Sequence, residues 1–155
     1  MNVGGLSLRD HIRLLAPLFG LIAAVWLLRL VLATAGAPGG LVSVVSVTAA
    51  VAISVLLAVL LIHFRRAGSY ANVVFSVALL VLFEELLIVA AIGFAVLTGT
   101  GNIFTAPEYS FPHADPSQIR HILGHLTFGV GLGTLFGSGM GCLLLWILRR
   151  STLKP

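Results

Sequence analysis

Two adjacent glutamates, Glu84 and Glu85, lie near the middle of an apolar stretch that is long enough to cross a membrane. An ionised carboxylate at the centre of a bilayer is costly, so intramembrane acids face the interior of a helix bundle or a wet cavity. Low dielectric and a neighbouring like charge both favour the protonated acid, so we expect at least one of the two to be neutral. The pair is therefore a candidate proton or cation site, or a polar anchor for a ligand headgroup.

A structural role is the alternative for these acids. At about 1.5 Å of rise per residue, Arg29 in the first apolar run comes within side-chain reach of the height of Glu84. The two could form a buried ion pair that clamps two helices together. Adjacent residues point about 100° apart on a helix, so Glu84 and Glu85 need not face the same partner. Together with Arg29 they form the candidate ligand or proton site.

Two histidines, His121 and His125, stand four residues apart at the start of the last apolar run. This spacing places both imidazoles on one helix face, where they could bind one metal ion. His113, in the preceding loop, is the candidate third ligand. HxxxH alone is a weak metal motif, and the alternative is that the two histidines hydrogen-bond the loop and water.

Aromatic side chains gather in the same loop, at Phe104, Tyr109 and Phe111. Aromatic residues are common at the membrane interface, where they anchor a span. The alternative is a lid over a pocket between helices, of a size for a quinone or another amphiphile. A metal ion at the histidines and a quinone are thus the cofactors that the sequence leaves open.

Glycine recurs every fourth residue in the last apolar run, at Gly129, Gly133, Gly137 and Gly141. Each glycine costs about 1 kcal/mol in an ordinary helix interior. In lipid, small residues let another helix approach closely. The row predicts close packing of this helix, either against a neighbour in the same chain or against another chain in a homo-oligomer or larger membrane complex.

The composition places these residues in a membrane protein. The 155 residues are 59% hydrophobic and only 9% charged, with a mean hydropathy of +1.11. Soluble domains do not have this composition. The net charge of +4 comes from a few basic residues at the ends of apolar runs, so it does not indicate nucleic-acid binding.

Four apolar runs predict an all-α bundle of four transmembrane helices in one domain, residues 1–155. The runs cover roughly residues 14–34, 41–62, 73–97 and 122–148. Residues 1–5 are expected to fray, and Ser7 to Asp10 fits a capping box that starts a short interfacial helix before Pro17. A loop of about 18 residues follows the third run, and Asp115 is the expected N-cap of the last helix.

The basic residues also predict the orientation. They lie before the first run, after the second and after the fourth, at Arg9, Arg13, Arg65, Arg66, Arg149, Arg150 and Lys154. Since basic residues favour the cytoplasmic side, both termini are expected in the cytoplasm, with the chain in the plasma (inner) membrane.

Three functions fit this pattern. The first is binding of an ion or small amphiphile inside the bundle, with proton-coupled transport centred on Glu84 and Glu85 as its strongest form. The second is an accessory or anchor subunit of a larger membrane redox complex that packs through the glycine row. The third is a small enzyme acting on a lipid-like substrate. The first and third predict a pocket that reaches the acids, and the second predicts that the row faces outward.

Overall fold

The computed structural model describes residues 2–65, 69–106 and 117–152. Its described part is almost entirely helical, as the hydropathy pattern predicts. The helices are α1 (Leu8–Thr34), α2 (Gly39–Val44), α3 (Val47–Phe64), α4 (Tyr70–Thr98), α5 (Ile119–Gly124) and α6 (Val130–Thr152), with a π-helical turn (His125–Gly129) between α5 and α6. Four segments are long and apolar enough to cross a membrane: α1, α2 with α3, α4, and α5 through α6.

Helices α3 and α4 form the centre of the bundle. They pack against each other, and each also packs against α1 and α6. In the two central segments, α2 with α3 and α4, 44% of the apolar stretch is buried. The buried share is 22% in α1 and 11% in the α5–α6 segment. The two outer helices therefore cover the central pair and leave most of their own apolar surface open.

Two contacts between aromatic rings show the direction of α1 relative to α4. The His11 and Phe75 ring centres lie 4.8 Å apart. Further along both helices, the Phe19 and Phe83 ring centres lie 4.9 Å apart. Both helices advance by eight residues between these contacts, so they run parallel. The end of the bundle with Leu8, Phe64 and Tyr70 is called the terminal end below, and the end with Thr34, Thr98 and Gln118 the loop end.

The short helix that was expected before Pro17 is not a separate element. The capping box is confirmed, since the Ser7 hydroxyl accepts from the backbone N–H of Asp10 and the Asp10 carboxylate accepts from that of Ser7. The helix it starts is α1 itself, which continues through Pro17 to Thr34. Proline removes one backbone donor from a helix interior, and here the helix continues past it without a break.

The expected fraying of residues 1–5 is also wrong over the described part, residues 2–5. β1 (Asn2–Val3) pairs with β2 (Leu6–Ser7) in a small antiparallel hairpin. Gly4 turns the chain at a φ of +54°, and its carbonyl accepts from the Asn72 side chain at 3.1 Å. A Cβ on Gly4 would collide with that same side chain, so the hairpin seats closely on the start of α4.

The second predicted span is broken near the loop end. Helix α2 ends at Val44, and α3 begins at Val47. Ser46 caps α3 by accepting from the Ala49 N–H at 3.3 Å. Serine is a favoured N-cap because its hydroxyl satisfies a backbone donor that the helix leaves free. The break puts the N-terminus of α3 near the level of Glu84.

The start of the loop after α4 folds back over the bundle. Gly99 ends α4 in the left-handed region at a φ of +68°. The Asn102 amide donates to the Ala91 carbonyl at 2.7 Å, and Phe104 is buried with 7% of its surface exposed. The other loop aromatics, Tyr109 and Phe111, lie outside the described residues, as do Glu108 and Asp115.

Candidate proton-binding site

The two glutamates are buried and face different helices. Glu84 is 5% exposed and Glu85 7% exposed. The Glu84 carboxyl group lies close to the Thr48 hydroxyl, in the first turn of α3. Glu85 faces the π-helical turn instead, as the 100° angle between neighbouring residues allows. The two acids therefore serve two interfaces of the same helix α4.

A chain of contacts leads from Glu85 toward the loop end. The Glu85 Oε2 atom lies 2.5 Å from His125 Nδ1, and His125 Nε2 lies 3.2 Å from His121 Nε2. His121 Nδ1 in turn lies 3.1 Å from Gln118 Oε1. These four side chains are called the relay below.

Two proton arrangements satisfy every contact of the relay. In the first, His121 Nδ1–H donates to Gln118, His125 Nε2–H donates to His121, and Glu85 and His125 share one proton across the 2.5 Å contact. In the second, Glu85 is a carboxylate that accepts from His125 Nδ1–H, and His121 Nε2–H donates to His125. The second arrangement holds one proton fewer. It also requires the Gln118 amide to present its NH₂ group, since an amide can donate or accept.

Addition of one proton and rotation of the Gln118 amide convert the second arrangement into the first. A proton added to His121 Nδ1 makes that ring a cation, which passes its Nε2 proton to His125. His125 then becomes the cation and faces Glu85 with its Nδ1 proton. Imidazole is suited to this because it can donate at one nitrogen while accepting at the other. A proton can therefore enter at His121 and be delivered to Glu85.

Gln118 connects the relay to a cavity at the loop end. This cavity has a volume of about 210 Å³ and is lined by Ala95, Val96, Gly99, Gly101, Thr105 and Gln118. Gln118 itself is in the left-handed region, at a φ of +53°, and is the residue before α5. Gln118 is thus shared between the relay and this cavity, whereas Glu84 and Glu85 do not line it.

The π-helical turn brings both His125 and Gly129 against the Glu85 side chain. Its wider winding is accompanied by a hydrogen bond from the Thr127 hydroxyl to the Leu123 carbonyl, at 2.6 Å. A Cβ on Gly129 would collide with the Glu85 carboxylate. The absence of a side chain there lets the carboxylate reach His125. Such π turns are frequently found at functional sites.

The other three glycines of the row pack against valines of α4. A Cβ on Gly133 would lie 2.8 Å from Val81, one on Gly137 2.8 Å from Val77, and one on Gly141 2.9 Å from Val73. The row thus meets every fourth residue of α4 in antiparallel order. A row open to another chain, which the accessory-subunit hypothesis requires, is not what these contacts show.

Arg29 lies elsewhere. Its guanidinium stands over the Phe104 ring, 5.6 Å from the ring centre, and no ion pair joins it to the described side chain of Glu84. Its grouping with the two acids as one ligand site remains a prediction without a contact between them.

The described residues hold no group of three histidine, cysteine, aspartate or glutamate side chains placed for a metal ion. His113, the predicted third ligand, lies outside them. His121 and His125 do share a helix face, as their spacing predicts. Their ring nitrogens contact each other, Gln118 and Glu85.

Gln118 and Thr48 were not singled out from the sequence. Gln118 could have been found by its position one helical turn before His121. Thr48 gave no such signal, because its contact with Glu84 depends on where α3 begins. No protein family, curated protein or solved structure matches this chain. Its function must therefore be inferred from this geometry.

Proposed function

We propose that this chain is an integral membrane protein that takes up and releases protons at Glu85, with the loop end facing outward. The observation that carries the proposal is the 2.5 Å contact between Glu85 and His125, continued through His121 to Gln118. A buried acid joined through two imidazoles to a cavity is an arrangement suited to moving a proton, whereas a structural clamp needs only one partner.

Proton-coupled transport of a cation or a cationic amphiphile is the function that this site supports best. Glu84 and Glu85 are neighbours, so loss of a proton at Glu85 leaves a negative charge that a cation can neutralise. Glu84 adds a second acid at the N-terminus of α3, where free backbone N–H groups favour negative charge. Helix ends inside a transporter bundle are common ligand sites. Exchange of a proton for a cation at this pair would couple the two movements.

Proton flux into liposomes tests the part of this function on which the rest depends, proton uptake and release at Glu85. Purified protein is reconstituted in sealed liposomes with a pH-sensitive dye inside, with potassium and valinomycin present to remove any membrane potential. After external acidification, wild-type liposomes should acidify faster than protein-free ones. Glu85→Gln, which keeps the shape of the side chain and removes its proton exchange, should lower the rate to that of protein-free liposomes.

His63→Gln is the matched control, because His63 lies at the terminal end and packs beside Phe64. It should conduct protons like the wild type. If Glu85→Gln conducts as fast as the wild type while retaining its helical circular dichroism, Glu85 is not the proton acceptor and the proposal is wrong.

The orientation makes a separate prediction. Since basic residues gather at the terminal end, that end should face the cytoplasm. A cysteine at Ser110, introduced together with Cys142→Ala, should react with an impermeant maleimide added to intact cells. Reaction only after the cells are permeabilised would reverse the orientation and the direction of the relay.

A further inference from the structure

A second cavity lies at the terminal end of the bundle, far from the relay. Its volume is about 280 Å³. Its walls come from β2, the first turns of α1 and the residue after α3: Leu6, Asp10, Arg13, Leu14 and Arg65. Two apolar side chains and two guanidinium groups therefore face one space.

The acidic and the basic side chains of this cavity differ in the hydrogen bonds and ion pairs that they already make. Asp10 already accepts hydrogen bonds from the backbone N–H of Ser7, at 3.1 Å, and from the Ser7 hydroxyl, at 2.5 Å. Neither Arg13 nor Arg65 has a carboxylate of a described residue within ion-pair distance. Among the described residues, the cavity therefore presents two guanidinium groups without an ion pair, beside an anion that is already hydrogen-bonded.

The cavity also lies at the border between apolar and charged surface. Ile12, next to Arg13, is 47% exposed, and Phe64, next to Arg65, is 76% exposed. Exposed apolar side chains directly beside arginines are typical of the depth at which lipid headgroups meet acyl chains. A ligand in this cavity would have a charged group at the arginines and apolar chains along α1 and α3.

We propose that this cavity binds the phosphate group of an anionic phospholipid. A guanidinium donates two parallel hydrogen bonds to a phosphate, and basic pockets between helices at the cytoplasmic side bind anionic headgroups. Leu6 and Leu14 line the pocket where the glycerol and first acyl carbons would lie. This inference does not depend on the relay, which is at the opposite end of the bundle.

Binding of fluorescent phosphatidylglycerol to the detergent-solubilised protein tests the site. Arg13→Gln and Arg65→Gln should each weaken binding about tenfold, the usual effect of losing a charge-assisted contact. Arg9→Gln is the matched control, because Arg9 lies on the same helix and does not line the cavity. It should change affinity less than twofold, and phosphatidylcholine should bind weakly to all variants.

Two outcomes would overturn the proposal. One is an equal loss of affinity in Arg9→Gln and Arg13→Gln, which would show only attraction by net charge. The other is arginine-dependent binding of inorganic phosphate that phosphatidylglycerol does not displace, which would assign the site to a free anion. Arg65→Lys keeps the charge and loses the paired hydrogen bonds, so its affinity should lie between those of the wild type and Arg65→Gln. If Arg65→Gln folds poorly, Arg65→Lys replaces it and should still bind phosphatidylglycerol more weakly than the wild type.

Discussion

Gly133→Ala is expected to destabilise the protein by about 1–3 kcal/mol, the usual cost of inserting an extra carbon into a packed interior. The new Cβ would lie 2.8 Å from Val81 Cγ1, so α6 must move away from α4 or Val81 must change its rotamer. Helix association in lipid depends on close van der Waals contact, which such a shift removes. The change is measured as the midpoint of thermal unfolding in detergent, followed by circular dichroism.

Gly139→Ala provides the matched control on the same helix. Apart from its chain neighbours and the nearby backbone of its own helix, no atom of the described residues lies within 4 Å of a Cβ at Gly139. Alanine favours the helix over glycine by about 1 kcal/mol. This variant should be as stable as the wild type or more so. Adding Val81→Ala to Gly133→Ala should restore much of the loss, since the new methyl would then lie 3.8 Å from the Cβ of residue 81. Equal stability of Gly133→Ala and Gly139→Ala would show that the row is not closely packed.

His121→Leu is expected to slow protonation of Glu85 by about a hundredfold, in the range measured when a proton-transfer side chain is removed. Leucine fills much of the same space in the bundle but cannot carry a proton between Gln118 and His125. The final extent of Glu85 protonation should change little, because His125 still contacts the carboxylate at 2.5 Å. Rate and extent are therefore affected differently, which a purely structural hydrogen bond would not produce.

His63→Leu is the matched control for that experiment. It removes an imidazole from the other end of the bundle and should leave the protonation rate unchanged. An equal slowing in both variants would point to a general loosening of the helices.

The helical part of the fold could be predicted because hydropathy alone identifies segments that can cross a membrane. Four of these segments are present near the predicted positions. Pro17 was expected to separate an interfacial helix from the first span, but α1 continues through it. The break at Val45 and Ser46 was missed because valine and serine are compatible with a continuous buried helix. The Ser46 hydroxyl, which caps α3, can be recognised as an N-cap only when a helix is already expected to begin there.

Three of the four relay side chains were singled out from the sequence, but Gln118 was not, and neither were the contacts that join the four. Glu85 was found from the cost of an acid in lipid, and His121 and His125 from their spacing. Nothing in the sequence joined the acid to the histidines, since that depends on how α4 and α6 pack. The packing requires Gly129 to leave room for the Glu85 carboxylate, so the glycine row and the acid belong to one feature. The grouping of Arg29 with the acids rested on similar height along two helices, which does not by itself establish contact, and it stays a prediction.

The proton relay is tested most directly by following Glu85 itself after a rapid change of external pH. Proteoliposomes are acidified by stopped flow, and the carbonyl stretch of the protonated acid is recorded by time-resolved infrared spectroscopy. The band is assigned to Glu85 by its absence in Glu85→Gln. We predict that it rises in the wild type and rises about a hundredfold more slowly in His121→Leu, to a similar final amplitude. An identical rate in the two proteins, or a band that persists in Glu85→Gln, would contradict proton transfer to Glu85 through His121 and His125.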